Sequence, residues 1–221
     1  MSRGETTTPI RVRAGTSTRP SGKAASERIL NSAHALLADG QSAQFSMRNV
    51  AQRAGVHLAN VQYYFPTRED LVHALLEDIG RRYSQAYQQC LAAAKPDRIA
   101  RFKAVLDFNL QDISRESTRR YFIQLWALLG SLEGNSGRGV NELYAIDIAL
   151  LSERVAELDV RASAVEVRKR ATLLAAMIEG LMIVQGAHGA AGRGRSGLMN
   201  QARSLGLSIA LGRMNEPDVA A

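Results

Sequence analysis

Residues 46–66 read Ser-Met-Arg-Asn-Val-Ala-Gln-Arg-Ala-Gly-Val-His-Leu-Ala-Asn-Val-Gln-Tyr-Tyr-Phe-Pro, and few backbones accommodate that order. Val50, Ala51 and Ala54 fall on one face of a helix, and Gly55 follows directly. Glycine suits a left-handed helix end because it has no Cβ to strain. Val56 then fills the angle between two helices. Val61, Tyr64 and Phe65 recur at spacings of three and four, and Pro66 ends the second helix. Ala51 is small where two helices must cross closely. A helix pair joined by so short a turn has the geometry of a helix-turn-helix, and an ordinary helical hairpin would not need all these features together.

The flanks extend the pattern. Residues 23–39 are expected to form a helix with Ile29, Leu30, Ala33, Leu36 and Leu37 as its apolar stripe and Gly40 as its stop. His34, at the edge of that stripe, reads as a packing residue. Phe45 precedes Ser46, a good N-cap. Thr67 with Asp70 three positions on approaches a capping box, and Glu69 and Asp70 suit the positive end of a helix dipole. Leu71, Leu75, Leu76, Ile79, Tyr83 and Tyr87 carry a long helix to about Ala94, where Lys95-Pro96-Asp97 breaks it.

Helical periodicity continues over 98–114, 119–131, 140–158, 162–186 and 198–214, with polar, glycine-rich loops at 133–139 and 186–197. No stretch alternates as a strand does, and no repeat is present. The expected fold is therefore all-α: a three-helix helix-turn-helix unit over 23–82, a larger helical unit over 83–214 and a frayed tail over 215–221. Residues 1–22 are rich in Thr, Ser, Gly, Pro and Arg, and read as a disordered basic arm. Its Arg3, Arg11, Arg13 and Arg19 either stay solvated or lie along a polyanion.

Phe45 to Leu76 resembles the DNA-binding domain of the tetracycline-repressor (TetR) family. Residues 46–56 carry the resemblance, together with Tyr63-Tyr64-Phe65-Pro66-Thr67-Arg68-Glu69-Asp70-Leu71. The helix containing Ile29, Leu30, Ala33 and Leu36 also fits. Gln62 stands where many members carry Tyr, and His57 where Ser or Thr often caps the recognition helix. The remaining two thirds match in helix number and length. The resemblance implies a cytoplasmic, dimeric, ligand-responsive regulator of transcription without a cofactor. A net charge of +7 suits a polyanionic partner.

A recognition helix in the major groove would present His57, Leu58, Asn60, Gln62 and Tyr63. Asn and Gln pair bidentately with adenine edges, and an apolar side chain meets the thymine methyl. Arg48 reaches a guanine edge or a phosphate, and Tyr63 and Arg68 reach phosphates. By the resemblance, Arg48, Gln62, Tyr63 and Arg68 occupy positions that touch DNA in the family.

The last two long helices carry Ala175, Ala176, Gly180, Gly206 and Ala210 within apolar stripes. Such helices pack closely, either inside one chain or as a four-helix contact between two copies. Leu174, Ile178, Leu181, Leu205 and Ile209 are the expected dimer residues. Phe102, Leu106, Phe122, Trp126, Tyr144 and Met177 either line a ligand pocket or fill the core. The resemblance favours a pocket, with a mostly apolar small molecule swinging the Arg68-containing helix. The function it implies is a repressor that leaves a palindromic operator when the ligand binds. The alternatives are a ligand-independent architectural DNA-binding protein, or a helical carrier or enzyme.

Catalytic and metal chemistry find little support. Residues 192–197 match a dinucleotide fingerprint in letters, but they follow a helix rather than a strand. His73 and Glu77, four apart, read as an ion pair rather than as half a metal site. Cys90 alone forms no intrachain disulfide, and no apolar run reaches membrane-spanning length. The arginines at the N-terminus lack the apolar stretch of a secretory signal.

Overall fold

A computed structural model describes residues 20–132, 138–187 and 195–213. The described residues form helices α1 (Pro20–Ala38), α2 (Met47–Ala54), α3 (Leu58–Tyr64), α4 (Arg68–Ala93), α5 (Arg98–Asp112), α6 (Glu116–Gly130), α7 (Arg138–Leu158), α8 (Ala164–Ala187) and α9 (Arg195–Ala210), with no strand among them.

The helix ends follow the local chemistry. Ser46 Oγ accepts the Asn49 N–H at 3.2 Å, which starts α2. Gly55 closes α2 at φ +65°, its N–H reaching the carbonyls of Ala51 and Gln52. α3 stops at Tyr64 because the ring of Pro66 forces the preceding Phe65 into extended backbone. The Thr67–Asp70 capping box is complete: Thr67 Oγ1 accepts the Asp70 N–H at 3.0 Å, and Asp70 Oδ2 accepts the Thr67 N–H at 3.0 Å.

Several boundaries differ from those expected. α1 begins at Pro20, so residues 20–22 are helical rather than part of the arm; proline is at home in a first turn, where no N–H is needed. A short 3-10 turn at Ser42–Gln44, not foreseen, fills the space before Phe45. α6 starts at Glu116, α7 at Arg138 and α9 at Arg195, each earlier than periodicity suggested. The last places 195–197 in a helix, where a loop was expected. The arginines of the arm, residues 133–137, residues 188–194 and the tail from 214 lie outside the described residues.

α1 packs on α2, α3 and α4; α7 and α9 pack on α5, and α8 packs on both α7 and α9. No gap in the core divides the two units. Val50, Ala51, Val61, Leu71 and Leu75 belong to the same buried cluster as Leu110, Leu125 and Leu174. Burying one such leucine contributes about 1.5–3 kcal/mol. α4 runs unbroken for 26 residues, through the boundary expected at 82/83. Its first turns belong to the helix-turn-helix, and its middle belongs to the larger unit.

Candidate functional site

The outer faces of α2 and α3 form one surface. Residues 46–66 contain no Asp or Glu, but contain Arg48, Arg53 and His57. Arg48, His57, Asn60, Gln62 and Tyr63 are all exposed, and Tyr63 is 74% exposed. The Tyr63 ring stands edge-on to Tyr64, with centroids 5.0 Å apart. That contact directs Tyr63 outward while Val61, on the opposite face, is fully buried. Arg53 is held by Asp39 at 2.5 Å, whereas Arg48 makes no ion pair among the described residues. His57 occupies the N-cap of α3 without a side-chain cap bond, so its imidazole is available.

Two expected members of this surface sit differently. Leu58 is half-buried and packs against the core, so only part of it faces outward. Arg68 turns toward α6, where its Nη2 donates to Ser131 Oγ at 3.2 Å and its Nε is buried without a partner. In this conformation Arg68 ties the two units together. Ala59, exposed on α3, was passed over in the sequence because alanine carries no polar signal.

The helix-turn-helix unit rests on α6 and α7 through polar ties. The Tyr121 hydroxyl and His34 Nδ1 are 2.7 Å apart, and His34 Nε2 and Asp78 Oδ2 are 2.8 Å apart. The Ser42 hydroxyl donates to Gln124 Oε1 at 2.5 Å. His73 Nδ1 lies 2.5 Å from Glu142 and its Nε2 3.4 Å from Glu77, so His73 bridges Glu77 of α4 and Glu142 of α7. Tyr121, Gln124 and Ser131 recur at helical spacing, making one face of α6 the seat of the DNA-facing unit.

Behind these ties lie two adjoining spaces. An open cleft of about 540 Å³ runs between α1, α4 and α6, lined by Asn31, His34, Arg82, Thr118 and Tyr121 among others. An inner cavity of about 50 Å³ lies between α4, α7 and α8. Ile79, Tyr83, Asp112 and Phe122 line both and form the partition. The Tyr83 hydroxyl donates to Asp112 Oδ2 at 2.7 Å, which steadies that wall. Gly80 admits α7 closely: a Cβ there would lie 2.8 Å from Ile146 Cγ2.

Of the six expected pocket residues, Phe122 and Tyr144 line the inner cavity. Phe102 and Leu106 are buried core, and Leu106 with Met177 packs against Gly206 of α9. Trp126 is half-buried on α6 and is not itself a lining residue. Periodicity identified these side chains as inward-facing, but it does not separate core from cavity wall. It also passed over two carboxylates in the lining, Asp147 and Glu179. A signal was present: Asp147 falls on the stripe of Leu143 and Leu151, and Glu179 interrupts the most apolar run of the chain.

The expected dimer residues divide in the same way. Leu174, Ile178 and Ile209 are buried in the chain's own core and are unavailable to a second copy. Leu181 is half-buried, and Leu205 is 46% exposed. On these two helices the large apolar residues left in solvent are Val165, Leu173, Ile183 and Val184 on α8, and Leu198 and Leu205 on α9, among the described residues. On α8 they share a face with the exposed Ala176.

Comparison with known proteins agrees with this architecture. The family model described as bacterial regulatory proteins, tetR family, matches residues 29–75. An uncharacterized HTH-type transcriptional regulator in the dhlA 5′ region of Xanthobacter autotrophicus is 32% identical over 145 residues, 61% of this chain and 67% of that protein. The chain belongs to the tetR family. It is a DNA-binding transcriptional regulator and not an enzyme.

Solved structures share the tetR-family fold at low identity. A transcriptional regulator from Pseudomonas aeruginosa PAO1 superposes with a TM-score of 0.65 at 17% identity, over 89% of this chain and 93% of that one. A TetR-family regulator from Agrobacterium tumefaciens does so with a TM-score of 0.59 at 18% identity, over 81% and 95%. In this tetR-family chain the matched segment runs from the middle of α1 to the first turns of α4. No described helix is long and apolar enough to cross a membrane.

Proposed function

We propose that this regulator is a homodimeric repressor that leaves a palindromic operator when a small molecule enters the cleft and inner cavity. The observation that carries the reading is the placement of chain neighbours on α4 and α6. Asp78 bonds His34 of the DNA-facing unit, while the next residue, Ile79, lines the cavity. Tyr121 bonds the same His34, while Phe122 lines the cavity. A guest that moves Ile79 and Phe122 therefore disturbs both bonds to His34. α4 continues from there to the capping box behind α3, so its displacement reaches the recognition helix directly.

The ligand acts by population shift: it must bind the DNA-incompetent arrangement more tightly than the competent one. Arg48, His57, Asn60, Gln62 and Tyr63 supply the DNA contacts, with Ala59 as an apolar neighbour. The second copy docks on the exposed face of α8 and α9. Two recognition helices then meet successive major grooves about 34–36 Å apart.

A cavity-filling substitution tests the coupling without knowledge of the ligand. Leu150→Trp, in the inner cavity, should lower operator affinity while helical content is retained. Leu150→Phe should do so less. Unchanged affinity in both, with both folded, would contradict ligand control through this cavity.

A further inference from the structure

The lining of the inner cavity is only partly apolar. Asp147 on α7 and Glu179 on α8 both face it. Several acids elsewhere have cation partners: Asp78 with Arg81 and Arg82, Asp112 with Arg115, and Asp159 with Arg170. Asp147 and Glu179 have no such cation among the described residues, and Glu179 Oε2 is sealed from solvent without a hydrogen bond.

The fold alone gives no reason to keep them. Buried charge without a partner costs stability, and apolar residues of the same volume would relieve that cost. The strain is visible in their proton affinity. Burial pushes Asp147 up to about 6. Burial, and then the nearby Asp147 charge, push Glu179 up to about 7.

The same cavity is walled by the rings of Tyr83, Phe122 and Tyr144. Ring faces attract a desolvated organic cation. A metal ion fits the site poorly, because no third acid, histidine or cysteine joins the pair in a metal-holding group among the described residues. Hard divalent cations take six or more oxygens.

We propose that the effector is an organic cation with an apolar body. Its ammonium or similar head sits between Asp147 and Glu179, against the rings of Tyr83, Phe122 and Tyr144. Its body passes the Tyr83–Phe122 partition into the open cleft beside His34 and Tyr121. The inner cavity, at about 50 Å³, is smaller than the sites that hold drug-sized ligands. Seating the head therefore opens the partition that carries the ties to His34. This inference rests on the effector-controlled reading above, and it differs from the sequence-based expectation of a mostly apolar ligand.

The test compares two probes of one shape. Benzyltrimethylammonium carries the cation, and neopentylbenzene replaces its nitrogen by carbon. Binding to the full-length protein is measured by calorimetry and thermal shift, and release is measured on an operator duplex obtained by selection. Asp147→Asn and Glu179→Gln remove charge with little change of shape. The cation should bind the wild type more tightly than the neutral probe, and each variant should lose roughly tenfold of that affinity. The neutral probe should bind the variants at least as well as the wild type.

Equal or tighter binding of the neutral probe to the wild type, or undiminished cation binding by both variants, would overturn the cation site. So would the absence of binding by either probe. Release of the operator by the neutral probe alone would sink the cation site and leave effector control standing. Cation binding that depends on both carboxylates but leaves operator affinity untouched would do the reverse.

Discussion

The Tyr121 hydroxyl donates to His34 Nδ1 across 2.7 Å, joining α6 of the larger helical unit to α1 of the DNA-reading unit. The direction follows from the other side of the ring. Asp78 is held below its usual proton affinity despite the opposing effect of burial, because Arg82 and His34 hydrogen-bond its carboxylate. As a carboxylate it only accepts, so His34 Nε2 carries the proton. Burial holds His34 below its usual value, and burial holds Tyr121 protonated. Nδ1 is then the acceptor, and Tyr121 is the donor.

Tyr121→Phe should cost about 1 kcal/mol of stability in urea unfolding, because His34 Nδ1 loses its donor in a part-buried site. Combined with His34→Ala, the loss should fall short of the sum of the two single losses by about 0.5 kcal/mol or more. Strict additivity would mean that the two residues do not act as one tie.

Gly80→Ala places a Cβ 2.8 Å from the branched end of Ile146. Alanine gains about 1 kcal/mol over glycine in a helix, whereas overpacking costs about 1–3 kcal/mol. The clash should dominate, giving a modest net loss of stability and weaker operator binding as α4 and α7 separate. A gain in stability with unchanged DNA affinity would show that α4 and α7 have room to spare.

The cavity carboxylates set a pH dependence of known sign. Their folded pKa values, about 6 for Asp147 and about 7 for Glu179, lie above the ordinary carboxylate range. The folded state then holds more protons than the unfolded state between about pH 4 and pH 7, so these groups make stability fall as pH rises through that window. Asp147→Asn or Glu179→Gln should be more stable than the wild type at pH 8 by about 1–3 kcal/mol. The difference should disappear near pH 4. His34, with the opposite slope, is common to both proteins and cancels in the comparison. A variant less stable than the wild type at pH 8 would contradict the unpaired burial of these acids.

Leu205→Glu puts a charge on the exposed apolar face of α9, where Leu205 is 46% exposed in the single chain. In sedimentation it should shift the protein toward monomer without loss of helicity. A variant that stays dimeric would move the interface off the α8–α9 face.

The helix-turn-helix was legible because each of its parts has a local cause. Ser46, Gly55, Pro66 and Thr67 fix their own backbone whatever lies elsewhere in the chain. The inward faces of the later helices were legible as well, and Phe102, Leu125 and Leu174 are buried as periodicity suggests. What lay beyond reach was the partner of each inward residue. Leu106 meets Gly206 while Phe122 meets a cavity, yet both sit at the same kind of helical position. Asp147 and Glu179 acquire meaning only when α7 and α8 bring them to one space.

The central claim, that α3 reads a palindrome as part of a dimer, is tested most directly by selecting bound sequences from random duplex DNA at fixed salt. The account predicts enrichment of two inverted half-sites about one helical turn apart, and loss of that enrichment in Tyr63→Ala. Binding that falls with salt, enriches no sequence and is the same in Tyr63→Ala would contradict it.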